Sequence, residues 1–97
     1  MNLIITKNAE KCILNIRRYH ELNYNKEDQS YIDQMLSEIA SIPSFPFAGQ
    51  QVESRSDPTL RKRYYKPYWL IYRVAKNTAT LLAVVHERQI LTEQNLK

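Results

Sequence analysis

The 97-residue sequence predicts an α+β fold, a single β-α-α-β-β-β domain with a helical hairpin packed on an antiparallel sheet. Three observations carry this. Two early stretches place apolar residues at steps of three and four, the period of a helix with one buried face. A late stretch turns to aromatic and β-branched residues in strand-like runs. Between the two halves lies a connection with three of the four prolines and the only glycine. Helices and strands segregated along the chain, rather than alternating, are the pattern of an α+β domain.

The elements follow in order. "NLIIT" is a short apolar, β-branched run and reads as the first strand. Thr6 can then cap a helix through its side-chain oxygen. Ala9, Cys12, Ile13, Ile16 and Tyr19 fall on one face of that helix, and Lys11, Asn15, Arg17 and Arg18 fall off it. "NYNKEDQ" interrupts the pattern. Asn25 is the expected second cap, and Glu27 and Asp28 place negative charge at the positive end of the next helix. Ile32, Met35, Leu36 and Ile39 form the second stripe, with Tyr31 and Ala40 beside it, until Pro43 ends the helix. In "PSFPFAGQQVESRSDP" the phenylalanines Phe45 and Phe47 are expected to tuck under the helices. "LRKRYYK", "YWLIYRVA" and "ATLLAVVH" then form three strands. Pro67 marks a bulge, a bend or an exposed edge, and "AKNT" a hairpin turn in which Asn77 tolerates left-handed angles. Ile16, Leu36, Ile39, Leu82 and Val84 are the expected core.

Composition narrows the class. Hydrophobic content of 43% and charged content of 25% are ordinary for a soluble globular protein, and the length suits one core spanning 1–97, with 90–97 as a short tail. "TATLLAVV" is too short to cross a membrane, and "MNLIITKNAE" lacks the parts of a secretory signal. Cys12 is the single cysteine, so no internal disulfide forms and a reducing, cytoplasmic setting is expected. Charge is unevenly spread. Residues 1–59 hold six Lys/Arg against eight Asp/Glu, a net −2, whereas residues 60–97 hold eight against two, a net +6. A basic C-terminal part suits an acidic partner, nucleic acid or protein.

Few motifs carry chemistry. Cys12, His20 and His86 have none of the paired spacings of a zinc site, so no metal is expected. With one glycine there is no phosphate-cradling loop, and two histidines support no Ser-His-Asp order. The signal is a basic and aromatic cluster: Arg61, Lys62, Arg63 and Lys66 interleaved with Tyr64, Tyr65 and Tyr68, and followed by Trp69. Cations neutralise phosphates and rings stack on unpaired bases, although tyrosines in such runs also serve simply as strand formers. On a strand, Arg61 and Arg63 share one face, Lys62 and Tyr64 the other. Arg73, on the same side as Trp69 and Ile71, must pair, stack or reach solvent. "VVHERQ" ends the last strand, where His86 could serve as general base and Arg88 could stabilise negative charge. The bland alternative is a solvated strand end.

The run "LRKRYYKPYWLIYRVAKNTATLLAVVHERQ" resembles the C-terminal half of the RelE/ParE superfamily of bacterial toxins, with its "Tyr-x-aliphatic-x-Tyr-Arg-Val" strand and closing "Val-x-His-x-Arg". "TKNAEKCILNI" and "IDQMLSEIASIPSFPFAG" are similar to the family upstream, and the likeness spans residues 3–90. It implies the toxin of a type II toxin–antitoxin system, of the kind tied to plasmid stabilisation and growth arrest, with a cognate antitoxin as partner and no cofactor. RelE-like members cut messenger RNA on the ribosome; ParE-like members inhibit DNA gyrase. Where RelE-like enzymes commonly place an arginine this sequence has Trp69, and where they place a late tyrosine it has Thr92, Glu93 and Gln94, while Arg88 matches a retained arginine. The resemblance therefore points to the ParE branch and to inhibition by binding. Its target-binding residues would be Arg61, Lys62, Arg63, Lys66, Arg73 and Arg88. The alternative is a RelE-like endoribonuclease using His86, Arg88 and the basic strand.

Overall fold

Five consecutive residues, Leu81–Val85, are all buried, and a strand covered on both sides belongs inside a sheet rather than at its rim. That strand, β5 (Thr78–His86), sits between β1 (Asn2–Ile5) and β4 (Tyr68–Ala75) in a five-stranded sheet completed by β3 (Leu60–Tyr65) and β2 (Gln50–Gln51), in the order β1-β5-β4-β3-β2. Two helices, α1 (Lys7–Asn23) and α2 (Gln29–Ala40), precede β2. The structure, a computed structural model, describes residues 1–23, 29–52 and 56–89. The expected cap at Asn25, the acidic pair Glu27 and Asp28, and the tail from 90 lie outside them.

The meander β3-β4-β5 is antiparallel, as the hairpin signals require. The sheet as a whole is not. β1 joins it in parallel, with Asn2 opposite Thr78 and Ile5 opposite Leu81. Alternation in a four-residue strand reveals that it pairs but not with which neighbour. The helical hairpin supplies the long crossover that parallel strands need. β2 was also illegible, because two residues carry no period.

A bulge links the sheet to the first helix. Register slips between Ile71 and Tyr72, which face Ala83 and Leu81, so Leu82 is left without a partner. The Leu82 carbonyl instead accepts from the Thr6 hydroxyl (3.2 Å) and the Asn8 amide (2.9 Å). Thr6 Oγ1 in turn accepts from the Ala9 backbone N–H at 3.1 Å, the cap its sequence position predicts.

The main core forms where the helical stripes meet one sheet face: Ala9 and Ile16 from α1, Ile32, Met35 and Ile39 from α2, and Leu70, Tyr72, Ala79, Leu81 and Val84 from the sheet. Leu36 packs against it half-buried. A second cluster gathers Val52, Leu60, Ile71, Leu82, Ala83 and Val85, with Trp69 beside it. Phe45 and Phe47 do not tuck under the helices; they are 65% and 66% exposed. The Pro43 turn, a 3-10 helix over Ile42–Ser44, sends only Ile42 inward, and the ring that reaches this loop comes from Tyr72, whose hydroxyl donates to the Pro46 carbonyl at 2.7 Å. Pro67 follows Lys66 through a cis peptide bond in the β3–β4 turn. In the β4–β5 turn both Lys76 (φ 53°) and Asn77 (φ 58°) are left-handed, the conformation of a two-residue hairpin.

Candidate functional site

Strand alternation distributes the basic cluster over two faces of the sheet. Arg61, Arg63 and Tyr65 project to the helix side, and Lys62 and Tyr64 to the other, as the sequence implies. The helix-side arginines are engaged within the fold. Arg63 donates to Ser41 Oγ (2.9 Å), the Phe45 carbonyl (2.7 Å) and Glu38 Oε1 (3.3 Å), and its side chain keeps only 10% exposure. Arg61 donates to the Gly49 carbonyl at 2.9 Å and lies over the Phe47 ring at 4.8 Å. These two arginines staple the Pro-rich connection to β3.

On the opposite face, Lys62 Nζ stands 4.4 Å from the centre of the Trp69 ring, and Tyr64 packs on the same indole at 4.7 Å. Trp69 therefore does not leave its position without a cation; Lys62, from the neighbouring strand, provides one. The Tyr64 hydroxyl donates to Glu87 Oε2 at 2.5 Å, and that bond raises the phenol above its ordinary value.

Arg73 lies near the far end of β4, away from this cluster. It pairs with Asp57 at 3.1 Å and donates to Thr59 Oγ1 at 3.2 Å. Hydrogen bonds from the Thr59 hydroxyl and amide, then from Arg73, hold the Asp57 carboxyl below its ordinary value. A depressed carboxylate stabilises the fold above the unfolded value and loses that contribution as pH falls through the folded one. Asp57→Asn is accordingly expected to flatten the acid limb of a melting-temperature profile below about pH 4, with no change at neutral pH beyond the loss of the pair.

His86 faces the helix side. Its ring meets Tyr68 edge-on at 5.6 Å, and its Nδ1 accepts from the Arg88 backbone N–H at 3.2 Å. The proton of the neutral ring therefore sits on Nε2. Arg88 is exposed in the turn after β5, and Lys66 is exposed in the turn before β4.

Beside His86 opens a groove of about 460 Å³ that the sequence did not announce. Tyr19 and His20 of α1, Tyr31 of α2, and Pro67, Tyr68 and His86 line it. His20 stacks on Tyr31 at 4.9 Å and 19°, and the Tyr31 hydroxyl donates to the Lys66 carbonyl at 2.9 Å. Burial, reinforced by Tyr68, Tyr65 and Tyr64, pushes the Tyr31 phenol above its ordinary value. These rings come from four separate elements, so no spacing in the sequence joins them. Tyr19 gave the one available hint, a polar-tipped ring placed last in an apolar stripe.

The family described as ParE toxin of type II toxin-antitoxin system, parDE, matches residues 3–91. The chain belongs to this family. The fold agrees: a chain from the chromosomal ParDE toxin–antitoxin system of P. aeruginosa superposes with a TM-score of 0.70 at 16% identity, over 89% of this chain and 95% of that one. No curated sequence matches. As a ParE-family chain it is the toxin component of a type II system. Among the described residues, no helix is long and apolar enough to cross a membrane.

Proposed function

We propose that this ParE-family toxin works in the cytoplasm by binding DNA gyrase and is held inactive by an acidic amphipathic segment of its antitoxin. One observation carries the choice against RNA cleavage. The only histidine of the last strand and the cation over Trp69 project to opposite faces of the sheet. Cleavage by a ribose 2′-hydroxyl needs a base and cations around one phosphate, within hydrogen-bond reach of the same atoms. His86 also engages its Nδ1 with backbone, and Arg61, Arg63 and Arg73 already bond within the fold. General acid–base help is typically worth about 10²- to 10⁴-fold, and this arrangement offers little of it. What it does offer is charge and exposed apolar groups for binding. Lys62, Lys66 and Arg88 supply charge for gyrase, and the exposed apolar side chains Phe45, Phe47, Leu14 and Leu22 suit coverage by an antitoxin. The family match and the ParDE likeness support an antitoxin partner.

Two assays on one protein preparation test the reading: DNA supercoiling by purified gyrase, and primer extension on translating ribosomes. Inhibition in the first without cleavage in the second is expected, and His86→Ala should leave that inhibition largely intact. Site-specific cleavage with unimpaired supercoiling would install the endoribonuclease reading instead.

A further inference from the structure

We propose that the ring-lined groove between the helical hairpin and the β3–β4 turn is a stacking site for an unpaired nucleobase on a single-stranded nucleic acid. The proposal rests on the groove alone and is independent of which target the toxin inhibits.

Of the six described residues that line it, five carry aromatic rings and the sixth is Pro67. The volume, about 460 Å³, lies in the range of roughly 300–1,000 Å³ that small-molecule sites occupy. Flat π-faces take up any base, because every base presents a π-face of its own. The walls are also held in place before a ligand arrives. Tyr31 is fixed by its stack on His20, by its hydroxyl bond to Lys66 and by the Tyr65 hydroxyl, which donates to its carbonyl at 2.9 Å. Tyr68 and His86 brace each other edge to face at 88°. Ordered rings lose little further freedom when a base enters.

The polar groups fit the same occupant. Imidazole nitrogens and phenol hydroxyls are groups of the kind that bond to base edges. Among the described residues, no carboxylate lines the groove. Exposed cations adjoin the lining in sequence: Arg18 before Tyr19, Lys66 before Pro67, and Arg88 two residues after His86. Among the described residues the acids nearest the lining in sequence are Glu21, Asp33 and Glu87, and Glu87 is turned to Tyr64 on the far face. Exposed cations at these neighbouring positions suit the phosphates that flank a stacked base.

The experiment is fluorescence anisotropy with the full-length protein and labelled oligothymidylate and oligouridylate of about ten nucleotides. An abasic oligomer of equal length and charge serves as reference. Base-bearing oligomers are expected to bind about tenfold or more tightly than the abasic one. Tyr68→Ala should remove that difference. Tyr19→Ala, at a residue 51% exposed and so safe for folding, should reduce it. Trp69→Ala, on the opposite face, should leave it unchanged. Preference for thymidylate would assign the site to DNA, and preference for uridylate to RNA; either supports the site. Equal affinity for abasic and base-bearing oligomers, no binding at all, or a base preference lost on Trp69→Ala but kept in both tyrosine variants would overturn it.

Discussion

Gly49→Ala is expected to destabilise the domain by about 2–4 kcal/mol, through overpacking and a broken hydrogen bond together. The cause is space, not backbone freedom, since no glycine here adopts a positive φ. A Cβ at position 49 would stand 2.5 Å from the Tyr72 hydroxyl and 2.7 Å from the Lys62 carbonyl. Neither neighbour can yield easily. Tyr72 is fully buried and its hydroxyl is committed to the Pro46 carbonyl. The Lys62 carbonyl belongs to β3 where Gln50 pairs with Lys62. Gly49 also presents its own carbonyl to Arg61, so a shift of this backbone loosens a second staple. Urea unfolding of the variant should show a lower midpoint with an unchanged slope. A midpoint within about 0.5 kcal/mol of the parent would mean that the Pro-rich connection gives way freely.

That glycine illustrates what the sequence did and did not disclose. The fold class was readable because it depends on local period: the helical stripes and the aliphatic run Leu81–Val85 supply the core, with Cys12, Ile13 and Leu36 half-buried at its edge and Tyr19, the last residue of the first stripe, exposed. The place of β1 beside β5, the bulge at Leu82 and the outward phenylalanines depend on contacts between residues far apart in the chain. A single glycine within a proline-rich stretch reads as a turn; that it instead admits a buried tyrosine hydroxyl is knowable only once Tyr72 is placed. The candidate site divides in the same way. Alternation correctly put Lys62 and Arg63 on opposite faces, but not which face would meet the helices. The sequence therefore grouped all six cations as one binding set. In the fold, Arg61, Arg63 and Arg73 bond internally, while Lys62, Lys66 and Arg88 present charge outward or over a ring. The groove was invisible because His20 and Tyr31 meet only when two helices and a turn converge.

Charge reversal separates those two groups most sharply at adjacent residues. Arg63→Glu is expected to abolish folding or come close to it. The side chain is 10% exposed, and it satisfies Ser41, the Phe45 carbonyl and Glu38 at once. A glutamate there would set a second carboxylate beside Glu38 and leave the Phe45 carbonyl without this donor. Glu38 is itself 41% exposed, so the larger part of the cost is the lost bonds of the arginine and the carboxylate that takes its enclosed place. Each hydrogen bond to a charged group is worth about 1.5–3 kcal/mol. Domains are stable by only about 5–15 kcal/mol in total. Lys62→Glu, one residue earlier, exchanges only a cation–π contact with Trp69, worth about 0.5–1 kcal/mol where exposed. Its fold should survive, and under the proposed gyrase reading any loss of inhibition then reports on the binding face itself. Denaturation curves for both variants, with supercoiling inhibition for Lys62→Glu, check the pair. If Arg63→Glu remains folded and merely binds its target less well, the arginine belongs to the binding surface, and the division drawn between stapling and binding cations is wrong.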